Sequence, residues 1–573
     1  MPSFRMGTVV GGLFLFVFAV AACGNDDVGA AAGGHGPDSG AISTADAPSV
    51  SVTTSEMDDM HVTDASSDTL AGPMTGATSV AADAGETSIA ADTGVKSRVE
   101  DSGADATPEE STPQESRPEG GARDAATAVA IPKAHIGDEV FDESQVHSYY
   151  LTLTDSEYAK LMDLSTLLLA PSVVNEDRYV QASLRVDDTE LPSIAVRFKG
   201  QFSIWGCVDQ ATGTRKVRIE PFFGNIDVCQ RFSLKLDFNR YDQDARLDGL
   251  KKLNLHAMAA DPSKMRERLG YALYRDMDVL APRAVHARVY INGEYQGLFA
   301  AVEEVDGRFA ANRFPESGDG NLYKEVWPSQ YIGSADAEAA LRTNDDPQTL
   351  DVSDFVNFKD TVLAATEADF ASKLAPYIDF DYLARYIVVN RAINDFDGVM
   401  AFYFGWGPPP ANHNLYWYHD SESGQFVLIP WDQDKSFWTP EPNFWTENEP
   451  NGDNITPNWN VITKSCDGYT AWFDNLGNSY QMMAIDCDPL LRLLRGQVYD
   501  SQKALTEEFI AGPFSESSVK ARLDAWSAQI TEAIADDALV DSANWQAAVD
   551  ALLADVPKFQ SNVTLMMDGL IDE

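Results

Sequence analysis

Between residues 146 and 238, apolar and polar side chains alternate with period two in four runs: V-H-S-Y-Y-L-T-L (146–153), R-Y-V-Q-A-S-L-R-V (178–186), S-I-A-V-R-F-K (193–199) and R-F-S-L-K-L-D-F (231–238). Successive side chains of an extended chain point to opposite faces, so this pattern predicts half-buried antiparallel strands of one sheet. A helix is predicted over 154–164, with Thr154 as N-cap and Glu157 at the capping-box position. A second is predicted to open at Asp261-Pro262-Ser263 and run to about Met277. The clearest hairpin spans 287–303, where Asn292-Gly293 separates two alternating runs. After Asp354 the spacing turns helical, including 380–393. A second hairpin follows over 414–420 and 424–431, and 490–573 is rich in Ala and Leu at helical spacing. Sheet first and helices later predicts an α+β protein of two lobes.

The N-terminal region reads differently. Arg5, an apolar run from Val9 to Val20 and the small residues Ala21-Ala22 before Cys23 form an export signal. That run is short for a membrane span of about 20 residues. Small residues directly before a cysteine resemble a bacterial lipobox, which predicts a signal peptide over 1–22 and a lipid anchor on Cys23. An ordinary secretory peptide cut nearby would begin with the same signal. From 24 to 130 there is no Phe, Trp or Tyr, and 20 acidic residues stand against 4 basic ones. Such a segment lacks the apolar surface to offset its conformational entropy, so 23–130 is expected to be a disordered acidic tether. The expected location is therefore outside the cytoplasm, membrane-anchored through lipid only and facing the periplasm or the cell exterior.

Charge narrows the partners. The 573 residues carry a formal net charge of −47, which repels phosphate backbones, so no nucleic-acid partner is expected. Cys207, Cys229, Cys466 and Cys487 fall into two pairs by spacing. The preferred pairing is Cys207 with Cys229 and Cys466 with Cys487, one of three connectivities that four cysteines allow. P-loop, dinucleotide-binding, zincin and hydrolase-elbow signatures are missing from the sequence. What remains is carboxylate. N-D-F-D-G (394–398) follows an apolar helix, His413-Asn414 opens a strand, and the next strand ends I-P-W-D-Q-D (429–434). Asp432 and Asp434, two apart in an extended segment, point to one side, an arrangement that suits a hard cation shared with phosphates. An Asp after a helix, an Asn and a later Asp are the polar set of a phosphoryl-transfer site. The same residues also favour ordinary turns. In R-F-K-G-Q-F-S (197–203), Arg197 and Lys199 share a strand face and are followed by Gly200 and Ser203, a phosphate cradle or simply a solvated face.

Ten blocks resemble the CotH family, the atypical secreted protein kinases named for spore coat protein H: R-F-K-G (197–200), L-K-K-L-N-L (250–255), D-P-S-K-M-R-E-R-L-G-Y-A-L-Y-R-D (261–276), A-P-R (281–283), V-Y-I-N-G-E-Y-Q-G-L-F (289–299), E-E-V-D-G-R-F (303–309), D-G-N-L-Y-K (319–324), D-F-D-G (395–398), H-N-L-Y-W-Y (413–418) and I-P-W-D-Q-D (429–434). They stand in the family's order over about residues 145–500. The resemblance implies a kinase-like two-lobed fold, with a sheet-rich N-lobe and a helical C-lobe carrying a catalytic hairpin. It also implies ATP and Mg²⁺ as cofactors, and Ser/Thr phosphorylation of a secreted or surface protein rich in those residues. Carried over by motif, Arg197, Lys199, Gly200 and Ser203 face the phosphates, Asp397 is catalytic, Asn414 and Asp432 hold metal with Asp434 in support, and Trp431 stacks on adenine. Glu303 and Lys324 lie near the nucleotide. Two departures stand out: Lys199 replaces a second Arg of the family's R-x-R-G, and 404–412 lengthens the path from Asp397 to Asn414.

The domain expectation is accordingly a kinase-like domain over 131–500, with a disulfide-pinned insertion at 440–488, and a helical extension over 501–573 packed on the C-lobe. Two other classes stay open. One is a non-catalytic structural or adhesive envelope module, since fold does not establish function. The other is a carboxylate-pair glycosidase.

Overall fold

The computed structural model describes residues 136–164, 178–200, 204, 207–209, 214–216, 228–330, 333–404, 410–437, 466–472 and 479–568. The leader, Cys23, the 23–130 segment, Ser203 and most of the 440–488 insertion lie outside the described residues.

Six strands follow the alternating runs, β1 (His147–Thr152), β2 (Val180–Val186), β3 (Thr189–Lys199), β4 (Ser233–Asp237), β6 (Ala284–Ile291) and β7 (Glu294–Glu303), and β5 (Lys252–His256) joins them without having been expected as a strand. They pair in the order β1-β2-β3-β4-β5-β7-β6. Here the structure departs from the expected all-antiparallel sheet. β1 pairs in parallel with β6, from His147 opposite Ala287 to Leu151 opposite Ile291, and the sheet closes into a barrel. Closure leaves no sheet edge exposed. One face of each strand fills the interior, where Tyr149, Leu151, Ile194, Val196, Leu234, Leu236, Leu253, Leu255, Val289 and Ala301 are almost fully buried. Each such aliphatic side chain contributes about 1.5–3 kcal/mol. The β6–β7 turn is the predicted Asn292-Gly293 pair, with φ of +50° and +84°. Positive φ at both central residues matches the twist of the flanking strands.

Local capping explains the helix starts. Thr154 accepts a hydrogen bond from the Glu157 amide at 3.2 Å and opens helix Asp155–Met162. The Glu157 carboxylate does not close a capping box; it takes Lys160 and the Gln181 amide. The second helix starts later than predicted, spanning Arg266–Asp276. Asp261 binds the Ser263 and Arg266 amides, and Lys264 at φ +60° interrupts any helix opening at 261.

Beyond the barrel come helices Gly307–Arg313, Ser334–Ala340, Ser353–Ala364, Phe370–Leu374 and Phe380–Ala392. A small antiparallel sheet joins β8 (Leu322–Lys324) to the hairpin strands β10 (Leu415–His419) and β11 (Phe426–Pro430), and β9 (Phe402–Tyr403) pairs with a hairpin of β12 (Tyr469–Trp472) and β13 (Ser479–Met483). The long helices Pro489–Ala511, Glu516–Ala535 and Ser542–Asp568 complete a mixed helix-and-sheet protein. Residue 500 falls inside the first of these, so the expected boundary there cuts a continuous helix. The later helices brace the barrel. Asp537 is buried, pairs with Arg231 and accepts the Leu298 amide at 3.1 Å. Tyr295 donates to the Ala533 carbonyl, and the Trp545 indole to that of Ser263. Both expected disulfides form, with Cα–Cα separations of 5.2 Å for Cys207–Cys229 and 5.7 Å for Cys466–Cys487.

Candidate active site

Helix Phe380–Ala392 begins at Asp379, whose carboxylate accepts the Asp381 and Tyr382 amides. It ends at Ala392, and two residues on Asn394 adopts φ +50° and turns the chain into Asp395-Phe396-Asp397-Gly398. Asn and Asp tolerate this left-handed conformation better than other residues with a side chain. Asn414 at φ +59° and Asp432 at φ +49° repeat the device at the two ends of the β10–β11 hairpin. Gly398 is required by close packing: a Cβ there would lie 2.2 Å from the Asp395 carboxylate.

These turns bring distant residues together. The buried Asn414 donates through Nδ2 to both the Asp397 carbonyl (3.0 Å) and its carboxylate (3.2 Å). The Asn414 carbonyl accepts the Trp431 amide at 3.0 Å, and the next amide, that of Asp432, donates to the Tyr271 hydroxyl at 2.9 Å. Asp395 is held behind them by Asn390 at 2.9 Å, while Arg391 grips its backbone carbonyl.

The electrostatics are those of crowded carboxylates. Burial pushes Asp397 well above the ordinary carboxylate range; Lys435 opposes the shift, while Asp434, Asp395 and Asp432 add to it. Burial and Asp434 raise Asp432 to about 7 against the pull of Lys199 and His256. Burial, then Asp434, raises Glu267 to about 8, and burial raises Asp395 to about 6. Carboxyl groups gathered this closely resist ionising together unless a cation joins them. Asn414 Oδ1 is buried without a hydrogen-bond partner among the described residues. An all-oxygen donor set with one orphaned carbonyl oxygen fits a hard divalent ion such as Mg²⁺.

On the other side of Asp432 stands a basic wall. Trp431 is buried, and the ammonium groups of Lys199 and Lys324 lie 5.1 and 5.7 Å from its ring centroid. Register explains the second: Lys324 pairs across the sheet with Tyr416 on β10. Trp431 therefore seats two cations in this structure, where the sequence reading expects an adenine platform. Arg197 donates to the Phe198 carbonyl and stacks near Tyr179. Gly200 ends β3 at φ +109°, a conformation that favours glycine.

Glu303 sits elsewhere. Its carboxylate is shared by Arg283 and Arg313 at 2.6–3.1 Å. The neighbouring Glu304 is the one that reaches the basic wall, through Lys235 at 2.7 Å, and Lys235 feels both Arg197 and Lys199. Sequence reasoning missed His256 and Glu267, which contact each other at 2.7 Å beside Asp432. Glu267 lies inside one resembling block and His256 directly follows another, so only position, with no motif of their own, pointed to them.

Carboxylates, an asparagine and lysines thus converge here from separate elements. The chain belongs to the CotH family: the model described as CotH kinase protein matches residues 196–554, more than half of the sequence. It is 24% identical over 227 residues to "Inner spore coat protein H" of Bacillus subtilis (strain 168), covering 37% of this chain and 59% of that protein. It is 23% identical over 177 residues to "Spore coat protein homolog 1" of Rhizopus delemar, covering 30% of this chain and 26% of that one. The chain thus spans less than two thirds of either relative. The crystal structure of a Helicobacter pylori proinflammatory kinase, CtkA, aligns over 59% of this chain and 94% of its own at 8% identity, with a TM-score of 0.24, too loose to support a shared fold.

Proposed function

We propose that this protein is a CotH-type kinase that transfers the γ-phosphate of ATP to Ser or Thr of a secreted or surface protein, using Mg²⁺. In this reading the barrel forms one lobe of a kinase-like fold, and the hairpin and helices form the other. The protein is exported and held at the membrane by a lipid on Cys23. The observation that carries the reading is the convergence of Asp397, Asn414, Asp432 and Asp434 next to Lys199 and Lys324.

Each group has work suited to its surroundings. Asn414 and Asp432, supported by Asp434, would hold the magnesium ion, which on binding supplies charge neutralisation for the transferring phosphoryl group. Lys199 and Lys324, fixed over the Trp431 ring, present ammonium groups to the phosphates, with Arg197 and Gly200 on and just after the adjoining strand, and Ser203 given the same role by the family motif alone. Asp397 is the base that accepts the hydroxyl proton of the acceptor. Asn414 fixes its orientation through two hydrogen bonds. A positive charge in the carboxylate cluster lowers the affinity of Asp397 for its proton and readies it for that step.

The test uses the full chain. Mg²⁺ with ATP at 100 times its dissociation constant should stabilise the protein by about 2.7 kcal/mol, and labelled phosphate should pass to a Ser-rich acceptor. Both responses should fall in Asp432→Asn, whereas Asp397→Asn should still bind nucleotide but transfer phosphate far more slowly. Binding without transfer in the wild-type chain would favour the structural envelope module; no nucleotide effect at all would refute the reading.

A further inference from the structure

His256 at the end of β5, Glu267 in the first turn of helix Arg266–Asp276 and Asp432 after β11 come from three separate elements. One ligand atom from each lies within 4.8 Å of the other two. His256 and Glu267 are buried, at 6% and 1% exposure, with Nδ1 and Oε1 2.7 Å apart. That contact satisfies one carboxylate oxygen. The other, Glu267 Oε2, is buried without a well-formed hydrogen bond among the described residues, with the Tyr271 side chain bearing on the carboxylate. The imidazole stands edge-on to Trp431, 5.9 Å between centroids at 86°, which fixes its plane beside Asp432. Lys199 bears on both Glu267 and Asp432, but Asp434 adds a further negative charge to the same group.

We propose that His256, Glu267 and Asp432 form a second divalent-cation site, whose mixed nitrogen and oxygen donors select a first-row transition ion over magnesium. With metal–ligand bonds near 2.1 Å, neighbouring donors sit roughly 3 Å apart, close to the 2.7 Å of the His256–Glu267 pair and inside the 4.8 Å that bounds all three atoms. Magnesium takes oxygen donors and gives up its water reluctantly; an imidazole suits transition ions. Asp432 then stands between this ion and the one assigned to Asn414. The inference rests on the phosphoryl-transfer reading only in sharing Asp432, and it requires neither nucleotide nor turnover.

The test is titration of metal-stripped full-length protein with MnCl₂ alone, followed by electron paramagnetic resonance. One equivalent of Mn²⁺ should bind without nucleotide, show ¹⁴N coupling from an imidazole and resist an excess of MgCl₂. His256→Ala should weaken Mn²⁺ binding at least tenfold. Should that variant fail to fold, the ¹⁴N coupling in the wild-type protein and His256→Asn, which should lose that coupling, decide the matter. Asn414→Ala should retain the nitrogen-coupled ion. No Mn²⁺ binding, or binding without nitrogen coupling, would overturn the proposal, even in a preparation that transfers phosphate. Nitrogen-coupled Mn²⁺ in a preparation inert toward ATP would uphold it while the kinase reading fails.

Discussion

Glu303 offers a sharp test of whether a conspicuous acid serves the nucleotide or the scaffold. Its carboxylate is 2% exposed and takes hydrogen bonds from Arg283 and Arg313, as well as from the Arg283 amide. Burial alone would raise its pKa, but Arg313 and Arg283 outweigh that and lower it from 4.5 to about 2. This difference corresponds to about 3 kcal/mol favouring the folded, charged state. A depressed carboxylate stabilises the protein above its unfolded pKa, and the contribution disappears as pH falls from about 4.5 toward about 2. Glu303→Gln keeps the shape but leaves two buried guanidinium groups short of a counter-charge, so the loss at pH 7 should be about 3–5 kcal/mol. Urea unfolding followed by tryptophan fluorescence should show the midpoint of the variant well below wild type at pH 7, with the gap narrowing as pH approaches 3. ATP affinity, measured by calorimetry on the folded variant, should stay within about twofold. An unchanged midpoint with a tenfold loss of ATP affinity would refute this assignment and return Glu303 to the nucleotide.

Three further outcomes are expected. Asp397→Asn should reduce phosphate transfer by about 10²–10⁴-fold, as loss of a general base does, and should raise the melting temperature of the metal-free protein by removing one of the crowded acids; a lower melting temperature would contradict that crowding. Trp431→Leu should weaken ATP binding by roughly tenfold, because Lys199 and Lys324 lose a ring contact worth about 1–2 kcal/mol; unchanged affinity in calorimetry would show that the ring does not position them. Asp537→Ala should destabilise the protein by about 3–5 kcal/mol by stranding the buried Arg231, and a urea midpoint equal to wild type would show that the C-terminal helices do not brace the barrel through this pair.

Local chemistry made much of the chain legible. The Asn292-Gly293 turn, the Thr154 cap and the strand runs follow from neighbours a few residues apart, and the structure contains all of them. The two disulfides follow from short loops. Asp432-Gln-Asp434 and Asn414 were visible because Asp and Asn at strand ends stand out against apolar runs. Asp261 misled because its carboxylate can cap either a helix or the tight turn that precedes one, and only the positive φ of Lys264 shows which.

From the chain alone came the main strand runs, the two hairpins and the longer helical stretches, with the acids and amides at their ends. Packing decided the parallel closure of β1 onto β6, the pairing of Glu304 with Lys235, and the meeting of His256, Glu267 and Asp432. Hydrogen bonding and side-chain alternation act over a handful of residues and leave their period in the chain. Pairings between β1 and β6, or among residues 256, 267 and 432, depend on how whole elements pack, and packing writes no period into the sequence.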